Sequence, residues 1–458
     1  MTEATMPMGL KTSVCRNVPV MPASDIEWQK NHKQHVQRLG SAWESLISSA
    51  HLDAVVIYSG LEARKYSRDD QFWPAALTPH FLHWIPYEET PALLVIRPGS
   101  VPKLYGLAHT SFWDSPGPAC ELWDRGSFDI EMVDDFASVK FPGRVAFIGD
   151  DLSIAQSLGI PADQCNRDDL LSKADLFRTL KSDYEVINLV KANNIAAIGH
   201  GQLKSMFESG DYSELELHHA YLSATSQTDF TVPYGNIVAM GSNCGVLHHV
   251  HYDRKKNHGD TSLLVDAGAR VLGYASDITR TWVRGRGEAA SAFRGLVRAV
   301  DEVQRDLVKL VSVGKPYEDL HNQAHELLAG VLISAGIVKC SVEAAVKGGV
   351  TRSFFPHGLG HSLGIQVHDV GMRLRKPSSD NPYLRNTSVL AAGHVVTIEP
   401  GIYFIPKLMQ ELMAGPMSNM VHSSLVKALM PFGGVRIEDD ILATDLGPVN
   451  LSAGCSHE

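Results

Sequence analysis

The stretch SLLVDAGARVLGYASDITRTW, from Ser262 to Trp282, consists of two β-rich runs around a turn, and each run carries one aspartate in apolar surroundings. Few folds accept such a hairpin, because a carboxylate set in a buried strand is costly unless something pairs with it. A hairpin symmetric about the Val271–Leu272 bond sets Asp266 and Asp277 directly opposite each other on one face, with Cβ atoms roughly 5 Å apart. Two bare carboxylates that close repel each other, and at least one is driven toward its protonated form. Shared cations remove that penalty. Either aspartate taken alone has an ordinary explanation, since Asp-Ala-Gly is common turn chemistry, so it is the pair that carries meaning.

Three further segments of the C-terminal half repeat the theme. FFPHGLGHSLGIQVHDVG begins at Phe354 and holds His357, His361 and His368. The first two stand four apart, as in a helical zinc motif, but Pro356, Gly358, Gly360 and Gly364 disfavour a helix and the glutamate of HExxH is missing. A lone histidine is more often a core or surface residue than a ligand. Three on one glycine-rich, extended segment point to a site, because neutral imidazole suits both metal ligation and proton transfer. In VVTIEPGIYFIP, Glu399 closes an apolar strand and Pro400 keeps the glutamate extended. GGVRIEDDIL places Glu438 after Val435 and Ile437, with Arg436 alternating between them, while Asp439 and Asp440 read as a solvated strand end.

The rest of the chain supplies a setting for these residues. Its 458 residues exceed what one hydrophobic core usually needs, which predicts two domains. The formal charge of −10 argues against a general nucleic-acid binder. Six scattered cysteines without a CxxC pair read as free thiols of a reducing compartment. The N-terminus lacks a signal-peptide pattern and no run approaches a membrane span, so the expected location is cytoplasmic, with no membrane partner. After a loose tail over residues 1–24, helical spacing covers Asp25 to His51, and apolar runs from Ala54, Ala92, Phe128 and Val145 read as strands of a first α/β domain over residues 25–174. The second domain, residues 175–458, is expected to open on a long helix from Leu176 to Ser209, followed by one capped by Ser213 with Glu216 completing a capping box. Glycine-punctuated strands and two further helices, Ala289 to Val313 and Tyr317 to Ala335, complete the pattern.

Taken in order, Asp266, Asp277, His361, Glu399 and Glu438 resemble the ligand set of the two-metal pita-bread metallopeptidases. DAGA…GYASDITRT, PHGLGH…VHDVG, TIEPG and VRIEDD are most similar to bacterial prolidases (Xaa-Pro dipeptidases), including the branch named organophosphorus acid anhydrolases. The resemblance runs from about residue 25 almost to the end. It implies a smaller N-terminal α/β domain of the creatinase/prolidase type followed by a pita-bread catalytic domain. It also implies hydrolysis of Xaa-Pro dipeptides by an ionised water shared between two divalent cations. A set of four carboxylates and one imidazole suits Mn²⁺, with Co²⁺, Zn²⁺ or Fe²⁺ able to substitute. By the same matching, Asp277 and Glu438 would bridge the cations, Asp266 would hold one and Glu399 the other, with His361 as the metal histidine. Glu399 carries a proton, and His368 with His357 stabilises the oxyanion. Tyr234, His248 and Arg436 fall at the substrate, Arg436 on its carboxylate, and Asp70 matches an acidic residue lent by the partner of a homodimer. HDVGM in place of HDVGG, and His249 where tyrosine is usual, are departures at the substrate edge. Phosphotriester hydrolysis is an implied side activity. Aminopeptidase P is the nearest alternative; a metal-free hydrolase or a non-catalytic binding module on this fold requires ligands to be lost, and all five positions are filled.

Overall fold

Short apolar runs set the architecture of the N-terminal half. The computed structural model describes residues 26–86, 91–108 and 126–455; the tail expected over residues 1–24 lies outside them. Helix α1 (Ile26–Ser49) precedes strands β1 (Ala54–Tyr58), β2 (Ala92–Ile96), β3 (Lys103–Leu107), β4 (Asp129–Val133) and β5 (Val145–Ile148). They form one sheet in the order β4-β3-β2-β1-β5, antiparallel at its centre and parallel at both edges. Val55 and Ile57 of β1 join Leu39, Trp43 and Ile47 of α1 in one core, while Ala54, Val56 and Tyr58 join Phe136, Phe147 and Ala155 in another. A strand covered on both faces reads as an unbroken apolar run, which is how the sequence presents it.

The long helix expected from Leu176 to Ser209 is instead two helices, α2 (Asp168–Leu176) and α3 (Asp183–Ser209). Ser182 caps α3 and Glu185 returns the bond to the Ser182 backbone. The apolar periodicity runs across this S-x-x-E signal and hides it. The same device, expected at Ser213 and Glu216, opens α4 (Glu214–Thr225).

Beyond α4, strands β6 (Ile237–Met240), β7 (Thr261–Asp266) and β8 (Thr279–Arg284) form an antiparallel sheet in the order β8-β7-β6. Helices α5 (Glu288–Leu310) and α6 (Tyr317–Ser334) follow, then β9 (Val395–Ile398), β10 (Gly401–Tyr403), β11 (Gly434–Arg436), β12 (Asp439–Thr444) and β13 (Gly447–Asn450). These strands give a second sheet, β9-β12-β13, and the pair β10-β11. A bridge between Thr279 and Glu438 joins the two sheets. Ala290, Phe293, Leu296, Val300, Val303 and Leu307 recur every three or four residues along α5, so one face of that helix packs with α6, Val396 and Ile398 in the largest core. The chain thus has the expected two parts, a mixed α/β domain and a pita-bread domain.

The hairpin turns one residue later than expected. Val271 pairs with Tyr274 and Asp266 with Thr279, which centres the turn on the Leu272–Gly273 bond. Both central residues have positive φ, 50° and 89°, as a type I′ turn requires. Leucine is a poor first residue for such a turn, but Leu272 is buried against Leu82 and Leu363, and that packing selects it. Asp266 therefore faces Thr279 rather than Asp277. Moving the centre by one residue moves the partner by two, so Asp277 keeps the same face, one diagonal step away.

Candidate metal centre

Five segments bring the candidate ligands to one place. Asp266 ends β7, Asp277 precedes β8, Glu399 follows β9 and Glu438 lies between β11 and β12. His361 sits on an extended segment zipped along β9: Thr397 N donates to His361 O at 2.9 Å and Glu399 N to Leu359 O at 2.9 Å. A cavity of about 580 Å³ is lined by all five residues together with His248, His357, His368 and Arg436. Ligand-capable atoms of Asp277, His361 and Glu438 all lie within 4.8 Å of one another. His361 Nε2 stands 3.3 Å from Asp277 Oδ2 and 3.8 Å from Glu399 Oε1. Nδ1 of the same ring is 3.0 Å from the Ser362 carbonyl, so Nδ1–H donates there and Nε2 faces the carboxylates.

The electrostatics are those of a site built around positive charge. Burial and the neighbouring Asp266 push Asp277 up from the usual carboxylate range, and burial with Asp277 and Glu399 pushes Glu438 well up. Glu399 rises to about 7 through burial, aided by Asp277 and Asp266 and opposed by His361 and Arg436. Burial lowers His361, but its contact with Asp277 outweighs that and leaves it raised. Asp266 Oδ1 is buried without a hydrogen-bond partner, while its Oδ2 accepts from Arg436 at 2.6 Å. A crowd of carboxylates with an orphaned oxygen fits divalent cations, which satisfy the oxygen and remove the repulsion. Protein donors are therefore in place for a binuclear divalent-metal site.

An outer layer orients this set. Thr279 Oγ1 donates to Glu438 Oε2 at 2.6 Å and accepts from Arg436 Nε at 3.1 Å. Tyr403, which the sequence reading did not single out, accepts from Arg436 at 2.8 Å and donates to His357 Nε2 at 2.9 Å. The only sequence signal for it was its alternate position after Gly401 on a strand beside Glu399. Burial lowers both His357 and His368 to about 3, with Arg436 adding to the first and His361 to the second. The expectation that Asp439 and Asp440 are solvated is overturned, since both are wholly buried. Asp439 pairs with Arg280 at 2.7 Å and accepts from Gln304 and Asn450; Asp440 Oδ2 accepts from the backbone N of Asp277 at 3.0 Å and from Asn193 at 2.9 Å. Helices α3 and α5 supply Asn193 and Gln304, and a strand read alone does not reveal that helices cover it.

The substrate-side candidates are placed less uniformly. Tyr234 donates to Asp277 Oδ1 at 2.5 Å, and His248 lines the cavity from an exposed position. His249 is bound to Glu214 at 2.7 Å. Asp70 is exposed and does not line the cavity of its own chain.

Comparison with known proteins agrees with this geometry. Residues 188–445 match metallopeptidase family M24, and residues 30–175 match the Xaa-Pro dipeptidase N-terminal domain. An Xaa-Pro dipeptidase of Marinobacter nauticus is 38% identical over 431 residues, covering 92% of this chain and 97% of the relative. One from Pseudoalteromonas haloplanktis is 37% identical over 436 residues, covering 92% and 97%. The fold is shared with aminopeptidase P from E. coli, solved with the inhibitor Pro-Leu, at a TM-score of 0.73 and 23% identity over 93% of this chain and 96% of that one. The cavity's acidic ring and the two matched segments together place the chain in metallopeptidase family M24, with an N-terminal domain of the Xaa-Pro dipeptidase type.

Proposed function

We propose that this chain is a metal-dependent hydrolase that cleaves Xaa-Pro dipeptides at a binuclear site. The observation that carries the reading is the convergence of Asp266, Asp277, His361, Glu399 and Glu438 on one cavity, with the Asp266 oxygen left unsatisfied. The full-length likeness to Xaa-Pro dipeptidases gives the substrate class. Asp266, Asp277, Glu399 and Glu438 would hold the two cations through their carboxylates and His361 through its imidazole. Four carboxylates and one imidazole favour Mn²⁺ over softer ions. Bound there, the two cations supply an acidified water and Lewis-acid polarisation of the scissile carbonyl.

The chain's own groups do the rest. Glu399, at the edge of the acidic ring and lining the cavity, is the group placed to take and return a proton. The proline nitrogen leaves as a basic amine and must be protonated, which is the demand that this group meets. His368, held neutral by burial, serves as hydrogen-bond donor to a developing oxyanion, while His357, whose Nδ1–H goes to the Gly358 carbonyl and whose Nε2 accepts from Tyr403, lines the substrate side. Arg436, here paired with Asp266, would receive the substrate carboxylate. Tyr234 and His248 flank the substrate. In a homodimer, Asp70 enters the partner's cavity on a loop that also exposes Tyr66 and Trp73. Phosphotriester hydrolysis is a by-product of the same geometry, and the protein works in the cytoplasm.

Comparing Gly-Pro with Gly-Pro-Pro tests the assignment. Faster hydrolysis of the dipeptide, at least tenfold in kcat/KM, is expected. Preference for the tripeptide would move the chain to the aminopeptidase P activity, and no cleavage of either by Mn²⁺-loaded protein would overturn the reading.

A further inference from the structure

A second group of metal-capable side chains lies in the seam between the domains, away from the cavity. His35 of α1, His83 of the first domain and Glu185 in the first turn of α3 bring ligand atoms within 4.8 Å of one another, and all three residues are buried. His35 Nε2 donates to the His83 carbonyl at 2.6 Å, which fixes the tautomer and leaves the Nδ1 lone pair facing Glu185 Oε2 at 3.7 Å. His83 Nε2 lies 3.3 Å from Glu185 Oε1, yet makes no hydrogen bond although it is wholly buried. Ser182 Oγ is within reach of both His35 Nδ1, at 2.8 Å, and Glu185 Oε2, at 3.1 Å, but has only one proton to give. Glu185 Oε2 also accepts from the Ser182 backbone N at 2.8 Å, so the unmet group of this cluster is His83 Nε2. Arg38 approaches Glu185 at 3.7 Å from a half-exposed position, and its hydrogen bonds go to the carbonyls of Phe177 and Leu180.

We propose that His35 Nδ1, His83 Nε2 and Glu185 hold a zinc ion that ties α1 and the His83 segment to the first turn of α3. Two imidazoles and one carboxylate are a zinc donor set, and a tetrahedral ion with bonds of about 2.0–2.2 Å sets its ligands about 3.3–3.6 Å apart. The 3.3 Å from His83 Nε2 to Glu185 Oε1 falls in that range, and the 3.7 Å from His35 Nδ1 to Oε2 lies just above it. Ser182 Oγ, which donates to His35 Nδ1 at 2.8 Å, would yield that lone pair to the ion. The role is structural, because none of these groups lines the cavity.

Metal counting on tag-free, full-length protein tests this. In an Asp277→Asn/His361→Ala/Glu438→Gln background, which disables the cavity site, one zinc per chain is expected after equilibration with zinc, together with a Tm several degrees above the chelated protein. Adding His83→Gln is expected to abolish both the bound zinc and the Tm rise, while leaving surface histidines intact. A background that binds no zinc, or a His83→Gln protein that keeps it, would overturn the proposal. If the background does not fold, the wild-type chain gives the answer directly: three zinc ions per chain support the site and two refute it.

Discussion

Gly360 decides where His361 points. Its φ of 154° is one that side chains rarely adopt, and a Cβ there would stand 2.4 Å from the Thr397 carbonyl and 2.5 Å from the Tyr317 hydroxyl. Gly360→Ala must push the segment off β9 and take the imidazole with it. The expected outcome is a loss of about 10–100-fold in Mn²⁺ affinity, read from metal-dependent hydrolysis, with about 1–3 kcal/mol of stability lost in urea. Unchanged metal affinity would contradict the positioning argument. The sequence exposed this segment through its glycines and imidazoles, and it exposed Glu399 and Glu438 through acids set in apolar strands. Of three consecutive acids, it set Glu438 apart from Asp439 and Asp440 but read the latter two as solvated, although both are buried. Their roles depend on which helix or strand stands opposite each one, namely Thr279 for the first, Arg280 and Gln304 for the second, and the Asp277 amide for the third.

Among the elements, the hairpin shows packing prevailing over local preference. A type I′ turn favours asparagine at its first central position, and Leu272 occupies that position because its side chain fills the seam with Leu82 and Leu363. Leu272→Asn is therefore expected to destabilise the chain, since losing a buried leucine costs about 2–5 kcal/mol against a gain of about 1 kcal/mol or less from a better turn. Stabilisation in an equilibrium urea titration would show that turn chemistry dominates. This also explains why the hairpin axis was misread by one residue while the shared face of the two aspartates was read correctly: the strand alternation was visible, and the residues that set the turn, Leu82 and Leu363, are remote in sequence. Strands β1, β2 and β5 of the N-terminal sheet were legible because burial on both faces leaves continuous apolar runs, whereas β3, buried only at alternate residues, was not anticipated. The break between α2 and α3 was not, because apolar spacing continues through it.

At the level of the whole molecule, burial of neutral histidines ties folding to pH. Burial lowers His325 to about 3 and His200, His321 and His394 to about 4, each from an ordinary value of 6.5. Between those limits the unfolded chain binds more protons than the folded one. Their contribution is therefore complete above about pH 6.5 and is lost progressively as pH falls toward 3–4. Tm is expected to decline steadily from pH 6.5 to 5, before ordinary carboxylates titrate, and a flat Tm over that range would contradict it. No helix among the described residues is long and apolar enough to cross a membrane. The account rests on the acidic ring acting as one dinuclear unit, and titrating chelator-stripped protein with Mn²⁺ while following Gly-Pro hydrolysis tests it most directly. Activity should be absent at the start, rise with added Mn²⁺ and level off near two equivalents per chain, and Glu438→Gln should flatten the curve; hydrolysis that survives chelation, or a plateau at one equivalent, would contradict the account.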